Sequence, residues 1–209
     1  MFSVLFQSAG PANTRPAVGV LPHTEFDVAA RQVRIASEVI GVNAPLEFFC
    51  VVAGTAEHES ILRTRAKPSD IHTALLALGI NPGQPLRYDA TADRWLPPEG
   101  PRLDLYVQWQ ENGVSVRKPA AALIRNLRTK QQIPEIYWVF AGSRIMPDGT
   151  YAADITGQVA ALVNFEMSVL DVPAIASSAN ETLTLEANLE ALPPPGTPVT
   201  LIIQAPPAK

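Results

Sequence analysis

Residues 46–79 read LEFFCVVAGTAEHESILRTRAKPSDIHTALLALG, and this one stretch holds a strand, a polar crossing and a helix. Its first seven residues are nearly all apolar, with paired phenylalanines and paired valines, which predicts a strand buried on both faces. Its last dozen predict a helix over 69–78. Ile71, Ala74, Leu75 and Leu78 fall at the i, i+3, i+4, i+7 spacing of one apolar stripe. Pro68 suits the helix entrance, with Lys67 or Ser69 at the cap position. Asp70 lies in the first turn, where the helix dipole favours negative charge, and Gly79 offers a left-handed stop.

Outward from this stretch, strands dominate. Phe26, Val28, Val33 and Ile35 predict two short strands around residues 29–32. Leu103, Leu105, Val107 and Trp109 alternate up to Asn112-Gly113, a type I′ hairpin turn, and Val114 and Val116 resume the alternation. Residues 136–141 and 199–203 read as strands, and Leu183, Leu185, Ala187 and Leu189 alternate cleanly. Asp148-Gly149 predicts a second hairpin turn with strands at 151–155 and 159–165, the latter run equally helical on composition alone. A short helix is expected over 119–128. The sum predicts an α+β fold: a single domain with an antiparallel-rich β-sheet core and a few packed helices. Residues 1–19 read as a flexible lead-in, 20–205 as the domain and 206–209 as a tail, with fraying over the last six residues.

A chain of 209 residues buries roughly 70% of its unfolded surface and needs no metal or disulfide for stability. Sixteen basic against twenty acidic side chains give a net charge of −4. With no basic block to offset that charge, a nucleic acid is excluded as the main partner. No run approaches the roughly 18 apolar residues of a transmembrane segment. Cys50 is the single cysteine and sits in the apolar run, so it reads as a buried structural thiol.

Candidate chemistry starts at Glu57, His58 and Glu59. On an extended segment the two carboxylates share one face and His58 takes the other. Such a pair can hold a cation or divide acid and base roles, and the simpler alternative is a solvated surface. His58-Glu59 begins an HExxH motif, but Leu62 stands where the second histidine belongs. His72 lies near the helix N-terminus, where the dipole disfavours imidazolium and leaves a neutral nitrogen for hydrogen bonding or metal ligation. In the AGSR segment, Ser143 lacks the second glycine of a nucleophile elbow and any base partner readable in sequence. Ser143 and Arg144 instead supply a hydroxyl and a guanidinium fork suited to an anion or polar ligand. Asp154 is expected to answer Arg144 across the hairpin. Asn164 interrupts an apolar run and needs hydrogen bonds if buried. Arg117-Lys118 reads as a solvated basic spot, and Asn180-Glu181-Thr182 matches the glycosylation sequon.

Taken together, the residues 46–79 block, WVFAGSR, YAADITG, ALVNF, SSAN and LEANLEALPPPGTPVT resemble the bacterial YdjY-like domain family over residues 20–205. The resemblance implies a single domain. It flags Glu57, His58, Glu59, Ser60, His72, Gly142, Ser143, Arg144 and Asn164 as family pattern, and it carries no agreed catalytic set. Many members look exported or lipid-anchored. The ferredoxin-like label given to some requires four cysteines and does not suit this chain.

The leading expectation is therefore an exported binding or interaction module for a small polar ligand, an envelope component or a protein partner. Its expected ligand-binding face uses Glu57, His58, Glu59, His72, Ser143 and Arg144, without a cofactor. The alternative is a metal-assisted hydrolase, with zinc or another divalent metal on His58 and His72 and a carboxylate of Glu57 or Glu59 as base. A periplasmic or envelope location follows if a leader has been removed, and a cytoplasmic one otherwise.

Overall fold

The computed structural model describes residues 18–174, 176, 179 and 182–206. Strands β1 (Val18–Leu21), β2 (Thr24–Asp27), β3 (Gln32–Val39), β4 (Phe48–Val52) and β5 (Ser60–Thr64) precede helix α1 (Pro68–Ala77). A small hairpin of β6 (Arg87–Asp89) and β7 (Arg94–Leu96) leads to β8 (Arg102–Glu111), β9 (Val114–Pro119), β10 (Ile124–Asn126) and β11 (Trp138–Phe140). Helix α2 (Ala152–Thr156) is followed by β12 (Gln158–Ala161), β13 (Leu170–Asp171), β14 (Leu185–Ala187) and β15 (Pro198–Gln204).

The main sheet runs β3-β15-β8-β11-β13-β12-β4-β5, and β5 pairs back onto β3, so the sheet closes into a barrel. The β1–β2 hairpin extends from β3, and β9 extends from β8. Most pairings are antiparallel, with β4–β5 and β12–β13 parallel. The fold is thus α+β and antiparallel-rich, as the patterning predicts. Closure protects most strand edges from outside pairing.

Alternation explains the barrel's inside. Val33, Ile35 and Val39 of β3, Leu103, Leu105, Val107 and Trp109 of β8, and Val199, Leu201 and Ile203 of β15 are all buried. On β4, Phe48, Phe49, Cys50 and Val51 are all buried, as expected of a strand covered on both faces. Burial pushes the Cys50 thiol up to about 12, which leaves it unreactive near neutral pH. Helix α1 adds Ile71, Ala74 and Leu75 to the same core and stops at Gly79, which has φ +77°. The Asn112-Gly113 turn has positive φ at both residues, as its type requires.

Several expectations fail locally. Residues 152–156 form a helix rather than a strand, because the Ser143 hydroxyl receives the Ala153 N–H and Gly157 closes the turn at φ +74°. The helix expected over 119–128 is only a 3-10 turn at Ala120–Leu123. The Asn126 side chain then accepts the Arg128 and Thr129 N–H groups, forming a turn that competes with helix. At the ends, Val18 and Gly19 belong to β1 rather than to a lead-in. Ala205 N–H bonds Arg31 O, and Arg31 Nε reaches Pro206 O, so residues 204–206 are held rather than frayed. The lead-in over 1–17, the tail over 207–209 and the sequon's Asn180 and Glu181 lie outside the described residues.

Candidate functional site

Residues 57–59 form a single 3-10 turn, not the extended segment expected. The reason is local: Glu57 N–H donates to Thr55 O, and the Glu57 carboxylate accepts the Gly54 N–H at 2.7 Å. The other Glu57 oxygen accepts Arg63 Nη1 at 2.9 Å, and Arg63 also donates to Glu38 of β3. Gly54 N–H, with Arg63, holds the Glu57 carboxyl below the usual range. His58 is exposed and reaches Glu59 at 3.4 Å. Glu59 in turn crowds Glu47; burial and this neighbour push the Glu47 carboxyl up to about 7.

His72 belongs to a different place. Its Nδ1 lies 2.9 Å from the Tyr151 hydroxyl, which itself donates to Gly142 O at 2.9 Å. A hydroxyl has one proton to give, so Nδ1 of His72 carries a hydrogen and donates. The imidazole sits edge-on to Phe140 and Tyr151, with ring centroids at 4.8 Å and 5.3 Å. Burial lowers its pKa, so the neutral ring expected from the helix dipole is favoured here by desolvation.

Ser143 is buried at φ +58°, and its hydroxyl donates to Met167 O at 2.7 Å while accepting Ala153 N–H at 3.2 Å. Gly142 before it has φ +89°, and a Cβ there would lie 2.4 Å from Pro82 Cβ. Arg144 pairs with Glu166 at 2.9 Å, not with Asp154 as expected. Asp154 instead accepts the Ser69 N–H at 2.8 Å and pairs with Lys67 at 3.2 Å. It thereby caps α1, whose own N-cap residue Lys67 makes no side-chain capping bond. The candidates thus separate: His72 reaches Ser143's neighbour Gly142 through Tyr151, Arg144 turns to Glu166, and of Glu57, His58 and Glu59 only Glu57 pairs with Arg63. Among the described residues, no three His, Cys, Asp or Glu side chains gather as a metal-binding group.

The open polar space lies beside Arg63, the partner of Glu57. On one edge β3 changes partners: β2 pairs with it as far as Ile35, and β5 takes over from Ser37. Ala36 falls at the handover. Its N–H bonds His23 O at 3.0 Å, and its carbonyl accepts the Thr64 hydroxyl at 2.7 Å, so its backbone is fixed. Its methyl group is too small to fill the outer face, and a hollow of about 410 Å³ opens over it. His23, Glu38, Arg63, Thr64 and Arg65 form its polar walls. Two further hollows also border Ala36, one reaching Glu25 and Arg34 and the other reaching Gln108 and Thr200. Of these wall residues, Arg63, Thr64 and Arg65 lie in the stretch that opens the sequence reading, and none of them was a candidate. No motif marks Ala36; only the β3 pairing reveals it.

Two buried carboxylates also escape sequence reading. Asp171 takes N–H donors from Asn164, Phe165 and Val172, yet burial pushes it up to about 7. Asn164 satisfies its amide on Asp171, Val172 and Ala176, as a buried asparagine must, and orders the loop after β12. Glu186 joins Arg125 at 2.6 Å to Lys130 at 2.7 Å beneath the β10–β14 ribbon. Arg117 stacks on Tyr106 at 4.1 Å and Lys118 donates to Ala191 O, so the basic spot is engaged rather than simply solvated.

Fold and site together define a closed-barrel α+β domain with a polar hollow on its outer sheet face. Among the described residues, no helix is long and apolar enough to cross a membrane. The YdjY domain model matches residues 25–204, and the chain belongs to the YdjY family. No curated protein and no solved structure gives a significant match.

Proposed function

We propose that this domain is a binding module that takes a small polar ligand in the hollow over Ala36. The observation that carries this reading is the handover on β3. It fixes a small residue between two pairing partners and leaves charged side chains around an unfilled space. The hollow falls within the size range of small-molecule sites, and its floor is backbone already held by hydrogen bonds, so little ordering opposes binding. The expected ligand face shifts accordingly. Glu57 contributes by holding Arg63, while His72 and Ser143 act as internal fastenings. The family resemblance adds the reading that the domain works in the cell envelope, which fractionation of the native host would test.

The test is amide NMR with a panel of acetate, alanine, glucose and inorganic phosphate. Shifts centred on Ala36, Glu38, Thr64 and Arg65 are expected for at least one member. Shifts confined to His72 and Tyr151, or none with any member, would overturn the assignment. A stoichiometric metal in untagged protein, with stability lost on chelation, would favour the hydrolase reading instead.

A further inference from the structure

The charges around the Ala36 hollow specify more than polarity. Arg63 is satisfied on both sides, by Glu38 and by Glu57. Arg65 lines the same hollow as Glu38 but makes no ion pair with it. Arg65 is exposed, and no carboxylate in the described structure closes on it within salt-bridge range. Glu38 gives Arg63 one oxygen, Oε1, and its side chain remains 37% exposed. A guanidinium and a carboxylate therefore border one open space with capacity left on each. Arg65 can bind a carboxylate through two parallel N–H bonds, and Glu38 can accept from an ammonium.

Resting on the binding reading above, we propose that the hollow recognises a zwitterion carrying a carboxylate and an ammonium on one carbon: a free α-amino acid. A simple anion would meet Arg65 but also the Glu38 carboxylate, and a simple cation would meet the reverse. Only a ligand with both charges answers both walls. The space of about 410 Å³ accommodates an amino acid, and the neighbouring hollow bordered by Arg34 and Glu25 repeats the mixed-charge character. Both hollows share His23 and Ala36, so a larger amino-acid side chain has room to continue across the sheet.

Calorimetry and amide NMR with four alanine forms test this directly: alanine, N-acetylalanine, alaninamide and N-acetylalaninamide, with trialanine as the peptide arm. Alanine should bind at least roughly tenfold more tightly than either singly blocked form and than trialanine, whose two charges stand at opposite ends, as expected for loss of one charge-assisted contact. Trialanine binding as tightly as alanine would overturn the amino-acid assignment. Arg65→Ala should lose the preference for a free carboxylate but retain that for a free amine. Glu38→Gln should do the opposite, with thermal melts confirming that both variants fold. N-acetylalanine binding as well as alanine would overturn the zwitterion proposal while leaving the binding reading intact. No shift at Ala36, Thr64 or Arg65 with any form would overturn the zwitterion proposal, and the binding reading falls with it only if acetate, glucose and phosphate give none either.

Discussion

The His72 junction and the Ala36 hollow use similar side chains to opposite ends. At the junction one relay runs from His72 through Tyr151 to Gly142 O, and a second from Ala153 N–H through the Ser143 hydroxyl to Met167 O, the two joined by the Gly142–Ser143 peptide bond. Asp154 closes the neighbouring helix end. At the hollow the backbone is equally well satisfied, but Arg65 and part of Glu38 face open space. Polar groups closed on one another stabilise the fold, whereas polar groups held open are available to a ligand. The difference lies in satisfaction and not in residue type.

Mutations should separate the two regions, beginning with the junction. Gly142→Ala sets a Cβ against Pro82 at a positive φ, so a loss of about 3 kcal/mol or more is expected in urea unfolding. Ser143→Ala strands the buried Ala153 N–H and should cost about 2 kcal/mol by the same measurement. Asp154→Ala removes the acceptor at the start of α1, for about 1 kcal/mol. At the hollow, Arg65→Ala should change stability by no more than about 0.5 kcal/mol while altering ligand preference. If Arg65→Ala destabilised as much as Ser143→Ala, the contrast between the regions would collapse.

Acidity sharpens the same comparison. Burial lowers the His72 pKa, so its stabilisation is present above the ordinary histidine value and is lost as pH falls through the lower folded value. His72→Gln should therefore flatten the acid side of a stability–pH curve. Glu47 has the opposite sign. Its folded value of about 7 exceeds the unfolded one, so its contribution is full below about 4.5 and disappears as pH rises through 7. Glu47→Gln should reduce the fall in stability over that interval, measured by melting temperature against pH.

Much of the barrel was legible because burial imposes a period. The alternating residues of β8 and the continuous apolar run of β4 each have one satisfactory environment. Helix α1 and its glycine stop were readable for the same local reason. Helix α2 was not, since Tyr151 and Ile155 suggest a strand while the bond that starts the helix comes from Ser143. The site divided along the same line. His58, His72 and Ser143 stand out by residue type, but type does not say whether a lone pair is already taken. Ala36 has no chemical signature, and its importance comes from two strands that meet β3 from elsewhere in the chain.

Strand β15 separates β3 from β8, and the side chains of Gln32 and Gln204 bond across 172 positions of sequence. During synthesis, β3 and β8 emerge long before the stave that joins them. Until β15 is made, the chain holds two apolar strand edges without their partner, a state exposed to mispairing and attractive to a holding chaperone. Folding should consequently be late and slow for a domain of this size, because its decisive pairing is among its least local.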